Sequence, residues 1–487
     1  MNPEDFKKFD AIFSPKAIAV FGPSSKRGYY WLRSLIASGF NGKIFPIHPT
    51  QDSAVGLRFY KALEDVPDEV DYAIIEVPVQ IVLDAIKQCV KKGVKFVTIF
   101  TSGFSEMGVE GGAIEKELLK IIKGSECRIN GPNCMGIYCP RGGLGFRSDM
   151  IPVDGVVSFI SQSGGIAINT TMLGTKLHMG FAKVISVGNA IDLKPADYIE
   201  YLTEDPRTKV IALYIENLGR TPEEVRRLYE TLKIAARKKP VIFWRGGISE
   251  RGAVAAASHT GALMSNQTII NAMIKQTGVI PVGSFEEFMD TLMAFQMMKT
   301  PKGRGIGLVS VSGGVSVTNS DLIVNMGMDI PILAVETVEE IKKVNLVQSV
   351  GVSAQNPIDL GSSYFALNIN EKTIFALAND PCISAVIIEI STHFIYNVRV
   401  LALEDFPRLF FESMLKCVKE IRIRIKKPVM IALPEISYED ETLNDRHVYL
   451  KRNIPVFPTV ERAARAIKNM VSYREFLESH QNSANPI

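Results

Sequence analysis

Tryptophan occurs twice, histidine six times and cysteine six times in 487 residues. Six scattered cysteines do not make a disulfide scaffold in a chain of this length. The closest pair, Cys134 and Cys139, has no histidine or second cysteine pair beside it to complete a zinc site. All six are therefore read as reduced thiols. An excess of one charge is also lacking. The 55 Lys and Arg against 52 Asp and Glu leave +3, which gives no reason to expect a nucleic-acid or anionic-membrane surface. No apolar run approaches the ~18 residues of a membrane span. The opening MNPEDFKKFDAIF lacks the basic-then-apolar order of a signal peptide, so a soluble protein in the cytoplasm is expected. With 46% apolar and 22% charged residues, disordered and collagenous classes are excluded. The length suits roughly three domains at about 100–200 residues each.

Alternation is the positive signal. Short runs rich in Val, Ile and Phe alternate with helix-length segments, as strands buried on both faces of a parallel sheet require. In the first third the runs are Ala17–Phe21, Ile44–His48, Tyr72–Val77, Phe96–Phe100 and Cys127–Asn130. Helices are predicted over Tyr29–Ala37, Val79–Lys92 and Gly112–Lys123. This is a doubly wound α/β unit. The polar, Gly-rich stretch Pro140–Gly155 is read as the connection to the second domain.

The remaining two thirds hold a weak internal repeat. VVSFISQSGG (Val156–Gly165) is echoed by IGLVSVSGG (Ile306–Gly314), and SVGNAIDL (Ser186–Leu193) by SAQNPIDL (Ser353–Leu360). EDPRTKVIALYIEN (Glu204–Asn217) is echoed by NDPCISAVIIEIST (Asn379–Thr392), and KKPVIF by KKPVMI. The order is the same in both copies. Two successive flavodoxin-like domains are expected, over 151–300 and 301–487, after a first domain over 1–150.

Three motifs carry chemistry. In FGPSSKRG (Phe21–Gly28), small residues let backbone amides approach an anion, and Lys26 and Arg27 supply charge. In SQSGG (Ser161–Gly165), Ser161 and Ser163 can cap a helix whose first amides, on Gly164 and Gly165, face outward. In AAASHTGAL (Ala255–Leu263), His259 sits among small residues that let another molecule come close. Eleven residues beyond Asp205 comes Glu216, at the end of a buried strand; eleven beyond Asp380 comes Ser391. An acid in only one copy of a duplicated fold points to function, and a carboxylate beside an imidazole raises its basicity. His447, His393 and His178 carry no such surroundings.

These stretches, in this order, resemble the nucleoside-diphosphate-forming acyl-CoA synthetases, relatives of succinyl-CoA synthetase. Matching segments are IIEVP (Ile74–Pro78), TSGFSE (Thr101–Glu106), NGPNCMGI (Asn130–Ile137), SQSGGIA, SVGNAIDL, IALYIEN and SHTGAL. The resemblance spans Asp10 to about Phe476 and implies a Rossmann-like CoA-binding domain followed by two succinyl-CoA-ligase-like domains. It implies that His259 is transiently phosphorylated, that Glu216 steadies it, and that Ser161, Ser163, Gly164 and Gly165 hold the phosphoryl group. It implies CoA phosphates on Gly22, Ser24, Ser25, Lys26 and Arg27, the CoA path along Val77 and Pro78, and its thiol near Gly131, Pro132 and Asn133. It further implies an ATP-grasp β subunit in a heterotetramer, with Mg²⁺ and ADP or ATP bound on that partner and no metal site on this chain. Such an α subunit would catalyse acyl-CoA + ADP + Pi ⇌ acid + ATP + CoA.

Two other readings compete. A CoA-sensing module without turnover would have no use for His259 and Glu216. A dehydrogenase would need an acid closing the second strand, but IHPTQD offers only Asp52, four residues past His48.

Overall fold

The computed structural model describes residues 1–260, 267–345, 353–397, 404–435 and 438–484. They fall into two compact units, Met1–Gly283 and Ser284–Ile487.

The first unit opens with helix α1 (Pro3–Ile12) and holds two sheets. Strands β1 (Ala17–Phe21), β2 (Lys43–Ile47), the short pair β3 (Ser53–Ala54) and β4 (Leu57–Arg58), β5 (Tyr72–Ile75), β6 (Phe96–Ile99) and β7 (Arg128–Asn130) come first. The five longer ones form a parallel sheet in the order β2-β1-β5-β6-β7. Helices α2 (Tyr30–Ala37), α3 (Val79–Lys92) and α4 (Val109–Ile122) connect them. All residues of β1, β5 and β6 are buried, as their unbroken apolar runs require.

The second sheet uses β8 (Gly136–Tyr138), β9 (Val157–Ser161), β10 (Phe181–Ser186), β11 (Val210–Ile215), β12 (Val241–Arg245) and β13 (Ile280–Val282). Its order is β13-β12-β11-β9-β10-β8, parallel except that β8 runs against β10. Between these strands lie α5 (Gly164–Lys176), α6 (Pro195–Glu204), α7 (Pro222–Lys238) and α8 (Glu250–Thr260). The second unit repeats the plan with β14 (Ile306–Ser310), β15 (Ile358–Asp359), β16 (Ala385–Glu389), β17 (Val429–Ala432) and β18 (Val456–Phe457), in the order β15-β14-β16-β17-β18. Leaving out β8, each sheet has the order 2-1-3-4-5 of a doubly wound fold. Such a sheet binds ligands beyond the carboxyl ends of its strands, where the winding reverses between the first and third strand.

The stretch expected to be a plain connection is packed into the first unit. Ser34 donates its hydroxyl proton to the Gly145 carbonyl (2.7 Å), and Leu144 and Phe146 are buried. At Gly143, φ is +66° and a Cβ would come within 2.5 Å of the Phe40 backbone, so only glycine fits. The helix Phe285–Met297, expected with the first repeat, lies in the second unit, where its buried Asp290 takes the Arg462 guanidinium at 2.6 Å.

The repeat is visible in atomic detail. Lys239 donates to the Asp205 carbonyl (2.7 Å), and Lys427 donates to the Asp380 carbonyl (2.6 Å). One buried ion pair distinguishes the first copy: Lys183 Nζ lies 2.7 Å from Asp205 Oδ2, with both side chains at most 4% exposed. Thr208 also donates to that carboxylate, and the ammonium sits 5.1 Å from the Phe13 ring and 5.3 Å from the Tyr201 ring. The pair thus ties the end of α1 to the second sheet. Lys183→Ala is expected to cost about 3–5 kcal/mol in urea unfolding of this unit, because it strands a buried carboxylate.

Candidate active site

At the switch point of the first sheet, β1 leads into Gly22, whose φ is +80° and whose Cβ would lie 2.7 Å from Val77 Cγ1. Glycine there lets the loop pass directly over the β5 end. The Ser24 carbonyl accepts from the Arg27 and Tyr29 amides (3.2 and 2.9 Å), folding Ser25–Arg27 into one 3₁₀ turn closed by Gly28 at φ +61°. Residue Tyr29, which precedes α2, offers no side-chain cap to the helix amides. The Arg27 guanidinium stands 6.0 Å over the Phe100 ring. Across the switch point, Thr101 donates its hydroxyl to the Val77 carbonyl (2.6 Å), and the Asn133 amide donates to the Thr101 carbonyl (3.0 Å). The carbonyls of Gly131 and Pro132 accept from the Ile191 and Asn189 amides, both at 3.0 Å. Those two residues are buried and act as the fastening that presents Asn133.

At the switch point of the second sheet, Ser161 donates its hydroxyl to the Ser163 carbonyl (2.7 Å). Ser163 in turn caps α5 by accepting from the Ile166 amide (3.3 Å). The first-turn amides, on Gly164 and Gly165, have no intrahelical acceptor. Gly164 is held tightly: a Cβ there would lie 2.9 Å from Met135 Cγ.

Gln162 links this turn to the end of β11. Its Oε1 accepts from the Glu216 and Asn217 amides (2.6 and 2.9 Å), and its Nε2 donates to the Asn217 carbonyl (2.9 Å). The Tyr214 hydroxyl, driven far above its ordinary pKa by burial and then by the Glu216 charge, hydrogen-bonds to the Glu216 carboxylate. In the second unit the ladder puts Ile388 of β16 beside Val309 of β14; one step on, Ser310 faces Glu389, and the Ser310 hydroxyl donates to that carboxylate. Since Ser161 pairs with Tyr214, Glu389 occupies the place of Tyr214 and Ser391 that of Glu216.

The two switch points open on one cavity of about 1,230 Å³. Its wall brings together Gly22, Ser24, Arg27, Val77, Pro78, Asn133, Ser163, Gly164 and Gly165. Ser25, Lys26, Gly131, Pro132, Ser161 and Glu216 do not line it. His259 belongs to α8, but its side chain lies outside the described residues. Helix α8 packs against the turn Ser105–Met107. There the Glu106 carboxylate accepts from the Gly103, Phe104 and Asn189 nitrogens at 2.7, 3.1 and 2.6 Å. Burial opposes ionisation of Glu106, but these hydrogen bonds outweigh it and hold the group below the usual carboxylate range. Asn189 also donates to Glu115 (2.8 Å), which takes Arg220 at 2.7 Å. This network joins the TSGFSE loop to the SVGN loop, a long-range contact with no signature in the local sequence.

Glu76, inside the matching IIEVP stretch, has no local pattern that marks it as functional. It lines the cavity, is 4% exposed, and neither carboxylate oxygen has a hydrogen-bond partner among the described residues. Burial pushes its pKa up to about 7, against the opposing charge of Arg27. The unfolded chain ionises Glu76 near its ordinary value while the folded chain keeps it protonated, so stability falls as pH rises between the two. Relative to Glu76→Gln, the wild type is expected to lose about 3 kcal/mol between about pH 4.5 and 8, levelling off above that. Urea unfolding across this range measures it.

Among the described residues no group of three His, Cys, Asp or Glu side chains could hold a metal, and no helix is long and apolar enough to cross a membrane. All six cysteines are free, five of them buried.

Residues 16–140 match a CoA binding domain, and residues 154–295 match the succinyl-CoA ligase like flavodoxin domain. The α subunit of acetate–CoA ligase [ADP-forming] II from Pyrococcus furiosus is 34% identical over 474 residues, covering 95% of this chain and 97% of that one. Acetate–CoA ligase [ADP-forming] from Methanocaldococcus jannaschii is 36% identical over 72% of this chain, which spans about half (48%) of it. A solved Ca. Korarchaeum cryptofilum structure, described as dinucleotide forming acetyl-coenzyme A synthetase 1 in complex with phosphate and ADP, superposes with a TM-score of 0.85 at 30% identity, covering 98% and 99% of the two chains. With the glycine loop, the SQSGG turn and the NGPN loop sharing one cavity, and a near full-length likeness in sequence and fold, this chain belongs to the family of ADP-forming acetate–CoA ligase α subunits.

Proposed function

We propose that the cavity is where CoA and the phosphoryl group meet. The observation that carries this is the opening of both switch points onto one space, an anion-suited loop on one side and a helix start on the other. Gly22, Ser24 and Arg27 hold CoA phosphates, while Ser25 and Lys26 shape the turn from outside. Val77 and Pro78 line the path of the pantetheine arm, and Asn133, presented by Gly131 and Pro132, stands at the thiol end. Ser163, Gly164 and Gly165 cradle phosphate, with Ser161 bracing the turn.

Inorganic phosphate attacks the thioester carbonyl; the C–S bond breaks and CoA leaves as thiol, giving an acyl phosphate. The imidazole of His259 then takes the phosphoryl group, and the carboxylate product leaves with the bridging oxygen. Glu216, oriented by Tyr214, steadies the imidazolium charge. Transfer from phosphohistidine to ADP regenerates His259 and completes ATP. The nucleotide and its Mg²⁺ are assigned to an ATP-grasp β subunit, in a heterotetramer in the cytoplasm. Functionally the chain divides at about 150 and 300: CoA binding, phosphohistidine chemistry, and a second ligase-like domain. The Pyrococcus furiosus relative's name makes acetate the first acid to test.

Calorimetric titration with CoA tests the cavity. Arg27→Ala is expected to weaken CoA about 10- to 100-fold, the scale of a charge-assisted hydrogen bond, and to flatten the salt dependence. Lys26→Ala is expected to change affinity only slightly. Equal losses from both variants would place the phosphates elsewhere.

A further inference from the structure

Glu76 follows β5 directly at the first switch point. Its amide donates to the Phe21 carbonyl (3.1 Å), and its carbonyl lies 3.3 Å from where a Gly22 Cβ would stand. It is thus the immediate neighbour of the anion-suited loop. A carboxyl group this deeply buried is almost always paired, yet both oxygens of Glu76 lack a hydrogen-bond partner among the described residues. The cavity it lines also carries Arg27 from the glycine loop, His48 and Lys61 from beyond β2, and Asp84 from α3. Of these, Arg27 is the charge that acts on it.

We propose that Glu76 contacts CoA as a neutral acid, donating its proton to an oxygen of the cofactor's anionic half, so that CoA enters together with a proton. This rests on the reading of the cavity as the CoA site. A charged carboxylate beside phosphates would repel them in a poorly hydrated space, whereas the protonated acid supplies a hydrogen bond and satisfies its own unmet valence. Burial already holds the free group half-protonated near neutrality, and an arriving anion offsets the help that Arg27 gives to ionisation. Each step therefore favours proton uptake.

The test is calorimetry of CoA binding to the full chain at pH 7.5, in two buffers of different ionisation heat, which counts protons. Wild type is expected to take up a substantial fraction of one proton, with affinity falling towards tenfold per pH unit above 7. Glu76→Gln, an isostere that donates without titrating, is expected to bind within a few-fold of wild type at pH 7 and to lose both the uptake and the slope. His48 and the 3′-phosphate of CoA, a monoester titrating near about 6, are present in both proteins and cancel in the difference. Equal proton counts in the two proteins overturn this role alone. Wild-type affinity that rises with pH and collapses in Glu76→Gln also overturns it, because the group would then be a charged acceptor. A wild-type chain that binds no CoA overturns the cavity assignment as well.

Discussion

Incubated with acetyl phosphate, the wild-type chain is expected to acquire one phosphoryl group on His259, and His259→Ala none. The motivation is one repeat that combines an imidazole among small residues, a carboxylate closing a buried strand and an amide-rich helix start. The structure adds the links between the last two: Gln162 bridges the SQSGG turn to the Glu216 backbone, and Tyr214 hydrogen-bonds the carboxylate. A phosphoramidate is labile in acid and stable in base, which separates it from phosphoserine on Ser161 or Ser258. Glu216→Gln is expected to slow labelling by about one to three orders of magnitude, the scale of one electrostatic or acid–base contact. Tyr214→Phe, which removes only the orienting hydrogen bond, is expected to slow it less. His259→Ala is expected to retain CoA affinity, since the proposed CoA contacts are assigned to other residues. Changes at Ser391 and His447 are expected to leave labelling intact. A wild-type chain that stays unlabelled with intact acetyl phosphate would leave the CoA-sensing reading as the better one. A label on His447, which lies twenty residues after Lys427 as His259 does after Lys239, would overturn the correspondence drawn between the two repeats.

The architecture was legible because burial on both faces leaves an unmistakable trace. Ala17–Phe21 appears as read, and Ile44–His48 is displaced by one residue to Lys43–Ile47. Edges blur where a helix starts without a recognisable cap: α4 begins at Val109, three residues before the predicted start. The repeat count from Asp205 and Asp380 also agrees with the ladder register, because both aspartates hold equivalent places and a lysine fastens each carbonyl. The features that stayed hidden depend on contacts across the chain. Pro140–Gly155 looks like a linker because its glycines read as freedom, whereas at Gly143 the glycine marks the close approach of Phe40. Gln162 looks like a spacer in SQSGG until β11 is placed beside β9. Glu76 reads as a polar strand end, and only the structure shows that no described residue hydrogen-bonds its carboxylate.

Mixed with acetyl-CoA, ADP, phosphate and Mg²⁺, the chain alone is expected to make no ATP, and to make it once an ATP-grasp β subunit is added. The last transfer moves the phosphoryl group from the imidazole to an ADP oxygen, and that step needs ADP held in line with it. The proposed sites on this chain serve the earlier steps: the loop at Gly22–Arg27 for CoA, the SQSGG turn for phosphate, and α8 for the acceptor imidazole. The near full-length match to a protein named as an α subunit supports a division of labour between chains. The dependence on the partner should therefore be all-or-none for ATP and absent for the partial reaction: phosphorylation of His259 by acetyl phosphate proceeds without it. Adding the partner and ADP to chain already labelled should empty the label into ATP, with His259 regenerated for a second turnover. ATP made by the purified chain alone would remove the need for a β subunit. Label that stays on the chain when a folded, nucleotide-loaded partner is added would mean that His259 phosphate is not the donor.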